Sequence, residues 1–242
     1  MRFLLLAGIF FSTAVFGQDL HVLSGGAAKS LVDPLAKSFK QANVKMDYQP
    51  MGKLVQSLKD GAPADLVIVT SEVLPNLQKD GKVGNGKGIA RVGIGVAVNE
   101  KAPSPDISTV AAFKKTLLAA KSIVYIDPKV GTSGKHVAEV FKRLNIENEM
   151  QSKTTLGQGG YITEPVGRGE IELGIHQISE ILPVKGVKLV GPLPAELQKY
   201  TVYVAAPVSG TKSEAAVNAF IAHLTGEEAR QRLAQAGYSA PE

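Results

Sequence analysis

Gly61-Ala62-Pro63-Ala64-Asp65-Leu66-Val67-Ile68 joins a helix to a strand. Before this stretch, residues 53–60 carry two leucines four positions apart, which is the spacing of one helix face. Gly61 is a typical helix stop. After the stretch, Leu66–Thr70 is a short apolar run rich in β-branched residues, which suits a strand buried on both faces. The sequence here predicts a helix that returns to a buried strand.

The same alternation of apolar runs and amphipathic stretches extends along the chain. Strands are predicted at residues 20–24, 44–49, 66–70, 92–98, 123–126, 154–156, 173–176, 187–190 and 202–206. Helices are predicted at residues 27–42, 53–60, 72–80, 109–120, 133–144, 214–224 and 227–236, with Ser108 as the N-cap of the fourth. Strand-then-helix alternation predicts an α/β fold with largely parallel sheets.

The N-terminus has the pattern of a secretory signal peptide. Met1 and Arg2 precede an apolar run at residues 3–16, and Gly17 is a suitable residue for cleavage. A membrane anchor is the alternative, but a spanning helix needs ~20 apolar residues. The chain has no cysteine, so it has neither a disulfide nor a lipid attachment site at the cleavage point. We therefore expect residues 1–17 to be removed, leaving a monomer in the periplasm without membrane insertion.

The charges are mixed and scattered. The chain has 27 Lys and Arg against 22 Asp and Glu, a net charge of +5. This mild excess favours anionic ligands, whereas the lack of a dense basic run excludes nucleic acid as a partner. The absence of Trp argues against a stacking platform for sugars.

Prolines that follow two of the predicted strands indicate where the chain changes lobe. The strand at 92–98 is followed by prolines at 103 and 105, and the strand at 202–206 by Pro207. We expect these two strands to link lobe 1, residues 18–98 plus 199–242, to lobe 2, residues 99–198.

Three stretches together resemble a known family. They are Leu23-Ser24-Gly25-Gly26-Ala27, the stretch 61–68 quoted above, and Asp127-Pro128 followed by Gly131-Thr132-Ser133-Gly134. Their order and spacing are similar to those of the periplasmic molybdate-binding proteins and the wider group of type II solute-binding proteins. The resemblance implies two lobes joined by a two-strand hinge, a small anionic ligand in the cleft, and the permease of an ABC transporter as partner.

Several predicted loops leave a strand and open a helix. The first N–H groups of a helix have no internal partner and attract anions, and small residues let the anion approach closely. Three glycines at 157–160 allow the same approach in another loop. The predicted ligand-binding residues are Ser24, Gly25, Gly26, Ala27, Met51, Gly52, Lys53, Thr70, Thr132, Ser133, Gly134, Gly159, Gly160, Tyr161 and Gln177.

Departures from the family pattern bear on the ligand. The molybdate-binding proteins have serine at the position of Ala27, serine-rich sequence at 50–52 and tyrosine at Gln177, and their sites lack charged side chains. This sequence therefore favours an organic carboxylate, with molybdate or tungstate as the alternative. Which basic residues contact the ligand is left open among Lys53, Arg91, Lys135 and Arg168.

Signals of catalysis are few in the sequence. The four histidines have no metal-ligand spacing, no Gly-x-Ser-x-Gly motif occurs, and residues 129–136 depart from the phosphate-loop pattern. His176 is expected to be packed or to face solvent. We therefore expect a binding protein without enzymatic activity, cofactor or metal. A periplasmic enzyme or a sensor component on the same scaffold is the alternative.

Overall fold

A computed structural model of the protein describes residues 18–241. The predicted signal peptide at 1–17 and its cleavage site lie outside the described residues. Across residues 18–241 there is no helix of sufficient length and apolarity to cross a membrane.

Strands and helices alternate along the described chain. The strands are β1 (Asp19–Gly25), β2 (Asn43–Gln49), β3 (Leu66–Thr70), β4 (Lys87–Val92), β5 (Ile94–Asn99), β6 (Ile123–Ile126), β7 (Thr154–Gly157), β8 (Leu173–Gln177), β9 (Val187–Pro192) and β10 (Thr201–Pro207). The helices are α1 (Lys29–Ser38), α2 (Met51–Lys59), α3 (Leu74–Lys79), α4 (Val110–Ala119), α5 (Thr132–Arg143), α6 (Glu147–Gln151), α7 (Glu164–Gly167), α8 (Ile178–Ile181), α9 (Glu214–Leu224) and α10 (Glu227–Arg232).

The strands form two five-stranded sheets, in the orders β2-β1-β3-β10-β4 and β7-β6-β8-β5-β9. In the first sheet β1 pairs in parallel with β2 and β3, and β10 runs antiparallel to β3 and β4. The second sheet repeats this arrangement with β5 as the reversed strand. Four of five strands therefore point the same way in each mixed sheet, and helices flank both, which confirms the predicted two-lobed α/β fold.

Each sheet has its own apolar core. In the first lobe Phe220 of α9 is fully buried and its ring lies 5.0 Å from that of Phe39. In the second, Phe113 and Leu117 of α4 and Ile123 of β6 are fully buried. Full burial of such side chains contributes about 1.5–3 kcal/mol each, so each lobe has its own hydrophobic stabilisation.

Asp65 holds the connection between α2 and β3 in place. Its N–H donates to the carbonyl of His21 and its carbonyl accepts from Val208. Its carboxylate accepts from the His21 N–H at 3.0 Å and from the Thr211 hydroxyl at 2.7 Å. This one residue ties the start of β3 to β1 and to the loop after β10.

The hinge differs from the prediction. The strand predicted at 92–98 corresponds to β5. Its first residue, Val92, instead ends β4, which was not predicted, and the chain changes sheet at Gly93, between the two strands. A Cβ at Gly93 would lie 3.2 Å from Gln198 Nε2 and from Tyr200 Cε1, so the crossing segments pack closely there. The change of sheet falls before the boundary expected at residue 98.

Some helix ends also differ. The helix predicted from residue 27 is a 3-10 turn at Gly26–Ala28 followed by α1, which contains Pro34. Thr109, rather than Ser108, caps α4, because its hydroxyl accepts from the Ala112 N–H at 3.1 Å. The short helices α6 and α8 had no counterpart in the prediction.

Candidate functional site

A cavity of about 260 Å³ lies between the two lobes. It is lined by Gly25, Gly26, Ala27, Lys29, Tyr48, Gln49, Pro50, Met51, Ile126, Gly131, Thr132, Ser133, Gly159, Gly160, Tyr161, His176, Gln177, Glu180 and Tyr203. Both sheets contribute strand ends to this wall, because the strands that point the same way end at the same edge.

The starts of three helical segments meet at the cavity. They are the 3-10 turn that leads into α1, the start of α2 at Met51, and the start of α5 at Thr132. None of the three has a side chain as its N-cap partner. Uncapped helix starts carry partial positive charge, so this cavity suits an anion.

Lys29 brings a full positive charge to the same wall. Its Nζ lies 5.4 Å from the ring centre of Tyr48, in its own lobe, and 6.0 Å from that of Tyr161, in the other lobe. The Tyr48 hydroxyl donates to Asp33 Oδ1 at 2.6 Å. Burial, together with the Asp33 carboxylate, raises the pKa of Tyr48. Burial likewise raises the pKa of Tyr161, so both tyrosines keep their protons beside the ammonium.

A histidine and a glutamate lie on the floor of the cavity. His176 near the end of β8 and Glu180 in α8 are four residues apart, on either side of the junction between the strand and the helix. His176 Nε2 lies 3.0 Å from Glu180 Oε2, but it is not oriented for a hydrogen bond. On the other side of the ring, Nδ1 lies 3.3 Å from the Ser133 hydroxyl.

Neutral hydrogen-bonding groups complete the floor. The Tyr203 hydroxyl donates to Gln177 Oε1 at 3.3 Å, and Gln177 Nε2 donates to the Thr132 hydroxyl at 3.3 Å. Burial raises the pKa of Tyr203 well above its usual range, and the negative charge of Glu180 adds to this effect. Tyr203 therefore remains a neutral donor.

The structure brings most of the predicted ligand-binding residues to the cavity and separates others from it. The residues at the wall are Gly25, Gly26, Ala27, Met51, Thr132, Ser133, Gly159, Gly160, Tyr161 and Gln177. The residues away from it are Ser24, Gly52, Lys53, Thr70 and Gly134. Ser24 and Thr70 are buried within the sheet, and Gly52 and Lys53 are exposed on α2.

Gly134 has a packing role. A Cβ there would lie 2.0 Å from the carbonyl oxygen of Ile126. Glycine therefore lets α5 lie directly against the end of β6, which places Thr132 and Ser133 at the cavity.

The four basic candidates point elsewhere. Lys53 and Lys135 are exposed, and Arg168 pairs with Glu170 at 2.7 Å. Arg91 donates to the Ser239 hydroxyl at 2.9 Å, and its guanidinium lies 4.9 Å from the ring centre of Tyr200.

Sequence reasoning did not select Lys29, Tyr48, His176, Glu180 or Tyr203 for the site. A signal existed for Lys29, since a lysine in the first turn of a helix opposes the dipole and is favoured there by a nearby anion. His176 was expected to be packed or to face solvent. It is packed, and it also lines the cavity. For the part of the chain that the structure describes, no group of His, Asp and Glu is arranged to hold a metal ion.

Comparison with known proteins supports this architecture. The family model described as bacterial extracellular solute-binding protein matches residues 20–239. An aconitate isomerase from Pseudomonas sp. is 31% identical over 232 residues, covering 90% of this chain and 86% of that protein. The molybdate-binding protein ModA of Escherichia coli K12 is 24% identical, covering 97% and 96%. The periplasmic molybdate-binding protein of Azotobacter vinelandii superimposes with a TM-score of 0.76 at 19% identity, covering 92% and 100%.

The expectation that the chain has no enzymatic activity is wrong in the light of the 31%-identical relative, which is named for a catalytic activity. The sequence has no Gly-x-Ser-x-Gly motif, no cysteine and no metal-ligand spacing of its histidines. Proton transfer needs none of these, because an acid or base side chain in a closed cavity is sufficient.

The family match spans nearly all of the described chain, and the solved structure shares its two-lobed fold. The protein is a member of the bacterial extracellular solute-binding proteins.

Proposed function

We propose that the protein is a periplasmic isomerase of the aconitate class, which binds a small unsaturated polycarboxylate in the cleft and moves its double bond by proton transfer. The observation that carries the proposal is the position of Lys29, whose ammonium lies at the wall of a cavity where uncapped helix starts also meet.

The positive groups are matched to several carboxylates rather than to one small oxyanion. Lys29 and the start of α1 lie on one lobe, and the start of α5 lies on the other. A ligand with separated carboxylates can engage both lobes at once, with Lys29 as a charge-assisted donor. The volume of about 260 Å³ is just below the usual range of ~300–1,000 Å³ for ligand pockets, which favours a small solute.

The chemistry of the chain favours proton transfer as the route of isomerisation. A carbon–carbon double bond changes geometry either through a covalent adduct that rotates or through removal and return of a neighbouring proton. The usual adduct-forming nucleophile is a thiol, and the chain has no cysteine. Acid–base groups, in contrast, are present at the cavity in His176 and Glu180.

Delivery of the same carboxylate to an ABC-type permease is the second candidate function. The family match favours it, as does the 24%-identical relative that is named for molybdate binding. Both functions share the binding step, and turnover separates them.

The test is proton NMR of the purified mature protein with cis-aconitate and, separately, trans-aconitate. We expect each isomer to give rise to the other at a rate proportional to protein concentration. Calorimetry on the same sample is expected to show binding of aconitate that is tighter than that of molybdate. Tight molybdate binding without any interconversion of aconitate would contradict the proposal.

A further inference from the structure

We propose that Glu180 is the catalytic base of this site, with His176 and Ser133 as the positioning residues that hold it. The inference rests on the proposed function, and it assigns the proton-transfer step to one side chain.

Glu180 is the member of the pair that faces the cavity. Glu180 lines the cavity, and its side chain is 11% exposed, whereas that of His176 is 1% exposed. A Cβ at Gly26 would lie 3.2 Å from Glu180 Oε1, so this oxygen reaches the glycine turn of the other lobe. Glu180 is therefore the member of the pair that is more accessible to a ligand.

The charge of Glu180 is unfavourable for binding alone. A carboxylate at the wall of an anion-binding cavity weakens the binding of anions, and burying a charge is energetically costly. A residue there solely for binding would better be neutral, as Gln177 and Tyr203 are. The unfavourable charge is explained if Glu180 takes up a proton from the bound ligand, because its charge is then neutralised during the reaction.

His176 has unused hydrogen-bonding capacity beside Glu180. His176 Nε2 is buried and has no hydrogen bond, although it lies 3.0 Å from Glu180 Oε2. The opposite nitrogen is close to the Ser133 hydroxyl, 3.3 Å away. A purely structural pair in a core is normally fully hydrogen-bonded. The imidazole is therefore placed to donate to the glutamate when that side chain shifts toward a ligand.

The reaction is a proton shift along three carbons of the ligand. Glu180 removes a proton from the methylene group next to the double bond, and the electron pair of that C–H bond forms a new double bond. The electrons of the former double bond accept a proton at its far carbon from the same carboxyl group, which exchanges part of its protons with water in between. The net change is the movement of one proton, so no oxidant, reductant or co-reactant is needed.

Positive groups at the cavity stabilise the charge of the intermediate. Removal of the proton spreads negative charge onto the ligand's carboxylate oxygens. Lys29 and the start of α5, which no side chain caps, already lie at the cavity. Preorganised donors of this kind stabilise developing charge without reorganisation.

The test uses the mature protein and its Glu180→Gln variant, with Glu149→Gln as the matched control. Glu149 is an exposed residue of α6, in the same lobe and away from the cavity. Three quantities are measured: affinity for trans-aconitate by calorimetry, interconversion of the isomers, and exchange of the ligand's methylene hydrogens in D₂O by NMR.

We expect Glu180→Gln to bind trans-aconitate within about threefold of wild type, because the substitution removes a like charge. Interconversion and hydrogen exchange are expected to fall by at least about 100-fold, the lower end of general-base contributions. Glu149→Gln is expected to match wild type in all three. A smaller loss of exchange, or a loss of binding, in Glu180→Gln overturns the assignment.

A second variant covers the case in which Glu180→Gln does not fold. Glu180→Asp keeps the carboxylate but withdraws it by one methylene, and we expect turnover to fall at least about tenfold with binding retained. Unchanged turnover in this variant overturns the assignment. If the wild-type protein does not interconvert the isomers, both the proposed function and the assignment fail. If wild type and Glu180→Gln are both active, the assignment alone fails.

Discussion

The backbone N–H of Gly52 donates a hydrogen bond of 3.3 Å to the carbonyl oxygen of Val130. Gly52 belongs to α2 of the first lobe, and Val130 lies in the loop before α5 of the second. Pro50 and Gly159 meet across the same gap, since a Cβ at Gly159 would lie 2.8 Å from Pro50 Cγ. The described conformation is thus one in which the lobes touch beside the cavity.

The contact between Gly159 and Pro50 predicts that Gly159→Ala weakens ligand binding. The new methyl group has to displace Pro50, and the residue has to keep a φ of 136°, which L residues rarely adopt. We expect the affinity for trans-aconitate, measured by calorimetry, to fall about tenfold, equivalent to about 1.4 kcal/mol.

The control for this prediction is Gly169→Ala. Gly169 has a φ of 76°, but no atom lies within 4 Å of its added Cβ. Its substitution therefore strains the backbone without obstructing the lobes, and we expect affinity within about twofold of wild type. Equal losses in the two variants would refute the explanation through closure.

Lys29→Gln is expected to reduce polycarboxylate affinity by about 10- to 100-fold. A hydrogen bond to a charged group contributes about 1.5–3 kcal/mol, and Lys29 is the lysine at the wall of the described cavity. The matched control is Lys53→Gln, because Lys53 was predicted as a ligand contact but lies exposed on α2. Calorimetry that finds the larger loss at Lys53 would show that the cavity is assigned wrongly.

Gly134→Ala is expected to destabilise the protein by about 1–3 kcal/mol, the usual cost of overpacking. The added Cβ would lie 2.0 Å from the Ile126 carbonyl, so α5 has to move away from β6. Gly52→Ala is the control, because that Cβ has ordinary contacts at 3.5 Å in the first turn of α2. The free energy of unfolding in urea is the measurement, and equal stability of the two variants would count against the described packing.

Asp65→Asn is expected to lower stability at neutral pH by about 1 kcal/mol, a modest value because the carboxylate is partly exposed. Partial burial alone would raise the pKa of Asp65. Hydrogen bonds from the His21 N–H and from the Thr211 and Ser213 hydroxyls outweigh this effect and lower the pKa. The stabilisation is therefore complete above the unfolded pKa of ~3.9 and is lost as the pH falls through the lower folded pKa.

Urea unfolding of both proteins across pH 3–7 checks this prediction about Asp65. The difference in unfolding free energy between wild type and Asp65→Asn should shrink as the pH falls below about 4. A difference that stays constant over this range would mean that the charge of Asp65 is not what stabilises the connection between α2 and β3.

The α/β class could be predicted from the sequence because the evidence for strands and helices is local. β3 and α9 have the predicted bounds, Leu66–Thr70 and Glu214–Leu224, since a buried apolar run and a clear helical period define them. The break at Gly93 was missed because the apolar pattern continues across it. Only the packing of Gln198 and Tyr200 against this glycine marks the change of sheet.

The site was only partly predictable, because part of it depends on contacts between residues that are distant in the sequence. Helix starts such as Gly131–Ser133 can be located from strand–loop–helix patterns, and the structure brings them to one cavity. Side-chain contacts between lobes cannot be located in this way. Lys29 lies near Tyr161, and Glu180 near Gly26, only because the two lobes face each other.

A crystal structure of the protein grown with trans-aconitate tests the central claim most directly. We predict the ligand between the lobes, with one carboxylate bonded to Lys29 Nζ, another at the N–H groups that open α5, and a methylene hydrogen facing Glu180. A ligand bound outside this cavity, or bound within it without contact to Lys29, would contradict the account.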